Sequence, residues 1–166
     1  MNHTRRRAIL AAPLLMLSSS CGFELRRAPE LRFRTVQLVG FKPRSPLVEA
    51  LVASINASQT TQVVESAAQA QVVLEALSDA REKSVVASTA AGQVRELQLR
   101  SVLNFRLRTV AGKELIAPTE ISLKRDLSFV ESAALAKEQE EAQLYRAMQT
   151  DIVAQVMRRL AAVQSI

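Results

Sequence analysis

The sequence contains one cysteine, one histidine, one tyrosine and no tryptophan in 166 residues. A single cysteine excludes an intrachain disulfide framework and a cysteine-rich zinc or iron–sulfur site. The histidine is residue 3, so a domain further along the chain has no histidine for acid–base catalysis. Only four glycines and five prolines accompany 48% apolar residues, so the composition is neither fibrous nor disordered. The length suits one cored domain.

The first 20 residues have the layout of an export signal. Arg5-Arg6-Arg7 precede the apolar run Ala8–Leu17, and three serines follow before Cys21. This order predicts a cleaved bacterial signal peptide over residues 1–20. As a helix the run spans about 15 Å, against roughly 30 Å of bilayer hydrocarbon, so it is too short for a permanent anchor. The alternative is a buried amino-terminal helix, which the arginines oppose.

Cys21 follows three small residues, where the signal peptide of a lipoprotein requires its cysteine. We expect lipidation there, with a diacylglycerol and an N-acyl chain as the only non-protein groups. The alternative is a free thiol, which is prone to oxidation in an exported protein. Gly22 in place of Asp permits sorting to the outer membrane in lipoproteins of this kind. The sequence leaves Sec export and twin-arginine export both open.

The net charge of +6 favours a nucleic-acid or membrane partner at first sight. Signal cleavage removes three arginines and no acid, which leaves 19 basic and 16 acidic residues in the mature chain. The mature chain is therefore only mildly basic. We expect no nucleic-acid partner.

After a polar tether at 21–31, residues 32–166 predict a single α/β domain. Alternation and helical periodicity indicate strands at 32–41, 97–107 and 121–129, two short β-prone pieces at 61–65 and 71–77, and helices at 46–57 and 132–162. We expect the strand that follows residue 71 to be interrupted near Asp79–Lys83. The predicted fold class is α/β, an α+β sandwich with a roughly four-stranded mixed or antiparallel sheet and two helices packed on one face.

The strand near residue 100 and the last helix carry the clearest patterns. Odd positions carry Leu97, Leu99, Leu103, Phe105 and Leu107, while even positions carry Gln98, Arg100, Asn104, Arg106 and Arg108. One face of this strand is therefore apolar, and the other is solvated and basic. These arginines are of the type that grips phosphate groups, and the alternative is a solvated strand face. In the last helix, the predicted buried stripe comprises Tyr145, Met148, Ile152, Val156, Leu160 and Val163.

Little in the chain suggests catalysis. Glu138, Glu140 and Glu141 could act as an acid–base pair or bind a metal, but they are more typical of the solvated first turns of a helix. Ser132 is a further candidate catalytic residue if the protein is an enzyme. We expect no enzyme activity, no catalytic residue and no metal site.

Two stretches resemble the LptE family of outer-membrane lipopolysaccharide-assembly lipoproteins. Residues 126–160 share a hydrophobic strand end, Ala-Leu-Ala-Lys at 134–137, an acidic run and a closing Arg-Arg-Leu. At the other end, Cys21-Gly22-Phe23 followed by Leu25-Arg26 looks like the lipidated start of that family.

The resemblance implies a binding role at the outer membrane. Proteins of this family bind the β-barrel LptD, sit within its lumen as a plug, assist its assembly and contact lipopolysaccharide. Lys137 matches a basic family position that touches lipid A phosphates. The implied partners are an LptD-like barrel, lipopolysaccharide and the periplasmic side of the outer membrane, reached through the lipid on Cys21.

Another envelope lipoprotein would share the leader, the size and the fold class. Examples are the auxiliary lipoprotein of a lipid-exporting ABC system and an activator of a cell-wall synthase.

Overall fold

The structure is a computed structural model that describes residues 30–166. The signal peptide, Cys21 and most of the predicted tether lie outside the described residues. In chain order the elements are β1 Thr35–Val39, α1 Pro46–Asn56, β2 Gln62–Val64, β3 Val72–Ser88, β4 Val94–Thr109, β5 Glu114–Ser128 and α2 Ala134–Ala161. Short 3₁₀ turns cover Ala67–Gln69 and Glu131–Ala133.

The five strands form one mixed sheet in the order β2-β1-β3-β4-β5. β1 runs parallel to both β2 and β3, while β3, β4 and β5 form an antiparallel meander. Tight turns at Thr89–Gln93 and Thr109–Lys113 join the long strands. The three long strands therefore extend well beyond β1 and β2, and the sheet has a five-stranded end and a three-stranded end.

Both helices cover the same face of the sheet, as predicted. The alternation in β4 places Leu103, Phe105 and Leu107 on this face, each with no exposed surface. They pack with α1 and the carboxyl-terminal half of α2 in one apolar cluster. A second cluster, around Leu99, Leu127 and Met148, lies beneath the three-stranded end. We call the uncovered side the open face.

Local sequence explains where α1 begins and which side of α2 is buried. The hydroxyl of Ser45 accepts the Val48 N–H at 3.3 Å, and Pro46 occupies the first turn, so α1 has a capped start. In α2 the predicted stripe is buried at Met148, Ile152, Val156 and Leu160. Tyr145 departs from that prediction because it is only half-buried and its hydroxyl bonds to the sheet.

The predicted interruption near Asp79–Lys83 is wrong, because β3 runs through it without a break. A β-bulge instead falls between Ala76 and Ser78, and Leu77 is 44% exposed there. An extra residue in one strand exchanges the faces of all residues that follow it. Consequently Arg81 and Lys83 point to the helix face although they share odd numbering with Glu75, which points to the open face.

The number of strands and two boundaries also differ from the sequence-based expectations. The sheet has five strands rather than about four, because the β-prone piece at 61–65 forms a separate parallel edge strand, Gln62–Val64. β5 begins at Glu114, seven residues before the predicted start at Ile121. Its first half carries Pro118, which weakens a strand signal and is tolerated here because β5 is an edge strand. α2 begins at Ala134 after a 3₁₀ turn.

The part of β3 beyond Leu77 has no strand beside it on the side away from β4, among the described residues. Helix α2 protects this edge. The Tyr145 hydroxyl donates to the Glu82 carbonyl at 2.8 Å, Lys83 pairs with Glu141 at 3.0 Å, and Arg81 lies 5.3 Å from the Tyr145 ring centroid. Charged side chains and bulges are features that discourage unwanted strand pairing at an edge.

Gly40 and Gly92 allow a matched test of packing where β1 ends. Both have positive φ, at 76° and 79°, but a Cβ on Gly40 would lie 2.2 Å from the Ala76 carbonyl oxygen, whereas a Cβ on Gly92 meets nothing. We expect Gly40→Ala to lower the free energy of unfolding by about 1–3 kcal/mol more than Gly92→Ala, as measured by urea denaturation. Equal losses would show that only the backbone angle matters.

Candidate functional site

The open face carries the predicted arginines of β4, and each is paired with a carboxylate. Glu75 on β3 lies directly across from Arg106. Its Oε2 accepts from Arg106 Nη2 at 2.8 Å and Nε at 2.9 Å, and from Arg108 Nε at 3.3 Å. One carboxylate therefore holds two of the three predicted arginines. Their side chains are about one-third exposed.

Arg100 occupies the middle of the same face and bridges three strands. Its Nη1 lies 3.1 Å from Glu82 on β3, and its Nη2 lies 3.5 Å from Glu120 on β5. Its Nε donates to Ser122 at 3.0 Å. Arg100 thus ties the two neighbouring strands to β4 on the side that no helix covers.

Lys137 lies apart from these arginines, in the first turns of α2. Its Nζ donates to Glu140 Oε2 at 2.8 Å and to Ser128 Oγ, at the end of β5, at 3.1 Å. Only 18% of its side chain is exposed. The helix dipole disfavours a cation at this position, so the two acceptors offset an unfavourable location.

The structure brings together two of the four predicted cations. Arg106 and Arg108 share Glu75, whereas Arg100 lies six residues along β4 from Arg106, about 20 Å at the usual rise of a strand. Lys137 belongs to the three-stranded end of the sheet, where β5 finishes. The four predicted cations therefore do not form one compact phosphate-binding cluster.

Charge on the open face is nearly balanced. Between residues 72 and 128, strand register places the following charged residues on this face: Arg100, Arg106, Arg108 and Lys124 as cations, and Glu75, Glu82, Glu96, Glu114, Glu120 and Asp126 as acids. Cross-strand pairs of opposite charge stabilise a sheet, and here such pairs engage Glu75, Glu82 and Glu120 on the side that no helix covers. The face is polar and slightly acidic rather than basic.

The three acidic residues at the start of α2 do not act together. Glu141 pairs with Lys83 and Glu140 with Lys137, while Glu138 is exposed. Within residues 30–166 no cluster of three or more Asp, Glu, His or Cys side chains is placed to hold a metal ion. Glu138 and Glu141 also line an open cleft of about 540 Å³ beside the β3 edge, together with Arg81 and Tyr145.

Sequence reasoning found the cations but missed the carboxylates that pair with them. Glu75 and Glu82 lie 31 and 18 residues from their arginines, and only the register of β3 against β4 makes them neighbours. The pair formed by Lys137 and Glu140 had a local signal, because residues three apart lie on one side of a helix.

Hydrogen bonds from Arg106, and secondarily from Arg108, hold the pKa of the Glu75 carboxyl below its ordinary value, although burial opposes them. Because the folded state binds this proton more weakly than the unfolded state, the pair stabilises the fold fully above about pH 4.3. That contribution is lost as the pH falls through the lowered pKa.

We expect Glu75→Gln to reduce the loss of stability below about pH 4.3, as measured by urea unfolding across a pH series. The matched control is Glu65→Gln, which removes an exposed carboxylate that forms no ion pair within the described residues. Acid sensitivity that falls equally in both variants would contradict a specific role for Glu75.

Comparison with known proteins places the fold in a family. The family model described as "LptE: Lipopolysaccharide-assembly" matches residues 33–160, which is more than half of the chain. No curated protein matches the sequence significantly. Within residues 30–166, no helix is both long and apolar enough to cross a membrane.

Three solved structures of lipoproteins share the fold. The solution structure of an uncharacterized lipoprotein B from Nitrosomonas europaea is 33% identical, with a TM-score of 0.69 over 85% of this chain and 91% of that one. Rare lipoprotein B from Shewanella oneidensis is 22% identical, with a TM-score of 0.65 over 78% and 95% of the two chains. A minor lipoprotein from Acinetobacter baumannii is 17% identical, with a TM-score of 0.63 over 80% and 93%.

These matches agree with the resemblance seen in the sequence. The family model covers nearly all of the predicted domain, and the solved lipoprotein structures share its fold. The chain belongs to the LptE family of lipopolysaccharide-assembly proteins.

Proposed function

We propose that this chain is a lipid-anchored outer-membrane protein that forms a plug-and-chaperone complex with an LptD-like β-barrel and assists lipopolysaccharide assembly at the cell surface. Its role is binding rather than catalysis. In this proposal Cys21 carries the lipid after signal cleavage, and the domain is held at the periplasmic side of the outer membrane. Two acyl chains or more make such anchoring stable.

The polarity of the open face is the observation that best supports the proposed role as a plug. The interior of a membrane β-barrel is polar, and its wall offers side chains and water rather than lipid. The open face is likewise polar, because Arg100, Arg106 and Arg108 are each held by acids from neighbouring strands. Such a face is stable in water before assembly and compatible with a polar lumen afterwards. An apolar face would instead expose a patch prone to aggregation.

Lipid contact is proposed at the four predicted cations, with Lys137 as the principal residue. Phosphate groups on lipid A would accept charge-assisted hydrogen bonds from its ammonium or from the guanidinium groups. Each cation must then share or exchange its carboxylate partner. Exposed ion pairs contribute only about 0.2–1 kcal/mol, so such an exchange is feasible.

Co-purification distinguishes the proposed partner from the alternatives. Full-length tagged chain, expressed in its own envelope and extracted in detergent, should retain an LptD-like barrel protein. Its depletion should lower surface lipopolysaccharide and the amount of folded barrel. Recovery of an ABC permease or a penicillin-binding protein in place of the barrel would contradict the proposal.

The lipid contact has its own test. We expect Lys137→Ala combined with Arg106→Ala to weaken lipopolysaccharide binding roughly 3- to 10-fold at low salt, which corresponds to about 0.7–1.4 kcal/mol, while circular dichroism stays unchanged. The matched control is Lys113→Ala with Arg158→Ala, which removes the same charge from two exposed residues away from the open face. A double variant that binds like the wild type, or a control that weakens equally, would reject these contacts.

A further inference from the structure

Lys137 is held by two acceptors that belong to different elements. Glu140, three residues along α2, contributes a carboxylate oxygen at 2.8 Å, and Ser128, at the end of β5, contributes a hydroxyl at 3.1 Å. The Lys137 side chain is 18% exposed, whereas that of Glu140 is 47% exposed. The ammonium is thus confined between the helix and the strand, with its acidic partner on the solvent side.

An ammonium has three N–H donors, and these two contacts use two of them. A phosphate oxygen that approaches Lys137 must either take the third donor or displace Glu140. In both cases it comes close to the Glu140 carboxylate, and two like charges at short range repel each other. Glu140 therefore opposes any anion that Lys137 attracts.

The strength of this opposition is limited by solvent. Because the Glu140 side chain is 47% exposed, the range for an exposed ion pair applies, about 0.2–1 kcal/mol, and the order Lys then Glu along a helix is the less favourable one. Glu140 can adjust the affinity of Lys137 by a few-fold but cannot abolish binding. Ser128, which is uncharged, confines the ammonium without repelling the ligand.

We propose that Glu140 is a positioning residue that restrains Lys137 and lowers the affinity of this site for a phosphate-bearing lipid headgroup. The inference rests on the proposed function, in which Lys137 contacts that headgroup. A weakened contact suits a protein that passes its ligand on, because a headgroup bound too tightly would not be released.

The experiment measures binding of purified lipopolysaccharide to the mature protein at low salt. We expect Glu140→Gln to tighten binding about 1.5- to 5-fold, the range that corresponds to the ion-pair energy above. Glu138→Gln is the matched control, since it removes the same charge from an exposed residue of the same helix whose side chain forms no hydrogen bond or ion pair with Lys137. Excess inorganic phosphate should weaken the gain if the phosphate group is what the site recognises, and anionic phospholipid vesicles should show whether another lipid phosphate suffices.

A double-mutant cycle separates restraint of Lys137 from a general effect of charge. In a Lys137→Ala background, Glu140→Gln should no longer tighten binding beyond the Glu138→Gln control. An equal gain from Glu138→Gln, or a gain that persists without Lys137, would overturn the inference. If Lys137→Ala weakens binding while Glu140→Gln changes nothing, this inference alone fails. If Lys137→Ala has no effect, the proposed lipid contact fails with it.

Discussion

The β-bulge at Leu77 is the constraint on which the arrangement of charge depends. Glu75 and Glu82 are seven residues apart, and in a regular strand they would project to opposite faces. The extra residue brings both to the open face, where Glu75 meets Arg106 and Glu82 meets Arg100. It also turns Arg81 and Lys83 toward α2, where they contact Tyr145 and Glu141. This one bulge therefore sets the ion pairs on the open face and the contacts between β3 and α2.

The sequence predicted the regular strand β4 correctly but not the bulged strand β3. In β4 the two-residue alternation is regular, so the core positions Leu103, Phe105 and Leu107 were predicted correctly. Residues 79–83 of β3 carry four charges in five positions, which suggests a break in the strand. They form a continuous strand because both sides find polar partners, one from β4 and one from α2. No local pattern contains that information.

The candidate site also has features that the sequence revealed and features that it did not. Arginines on one side of an alternating strand were visible in the sequence, and so was the helical spacing of Lys137 and Glu140. The pairing of Glu75 with two arginines was not, because it depends on the register between strands far apart in the chain. A basic strand face was therefore expected where the structure has a compensated and slightly acidic one. That difference bears on function, since a compensated face attracts free polyanions less strongly than a basic one.

The paired charges of the open face and the protected strand edges both reduce the tendency of an uncovered sheet to aggregate. In the proposed function, the protein exists in water before it enters a barrel lumen, with one face of its sheet uncovered, and an uncovered sheet is a template for aggregation at its edges. Here β2 is only three residues long, the edge strand β5 contains Pro118, which has no N–H to offer a further strand, and the Tyr145 hydroxyl donates to an edge carbonyl of β3. On the face itself, arginines pair with three of the acids, Glu75, Glu82 and Glu120. Within that proposal the polar groups suit the unbound state in water, and because exposed ion pairs are weak, each cation is able to exchange its partner for the proposed ligand.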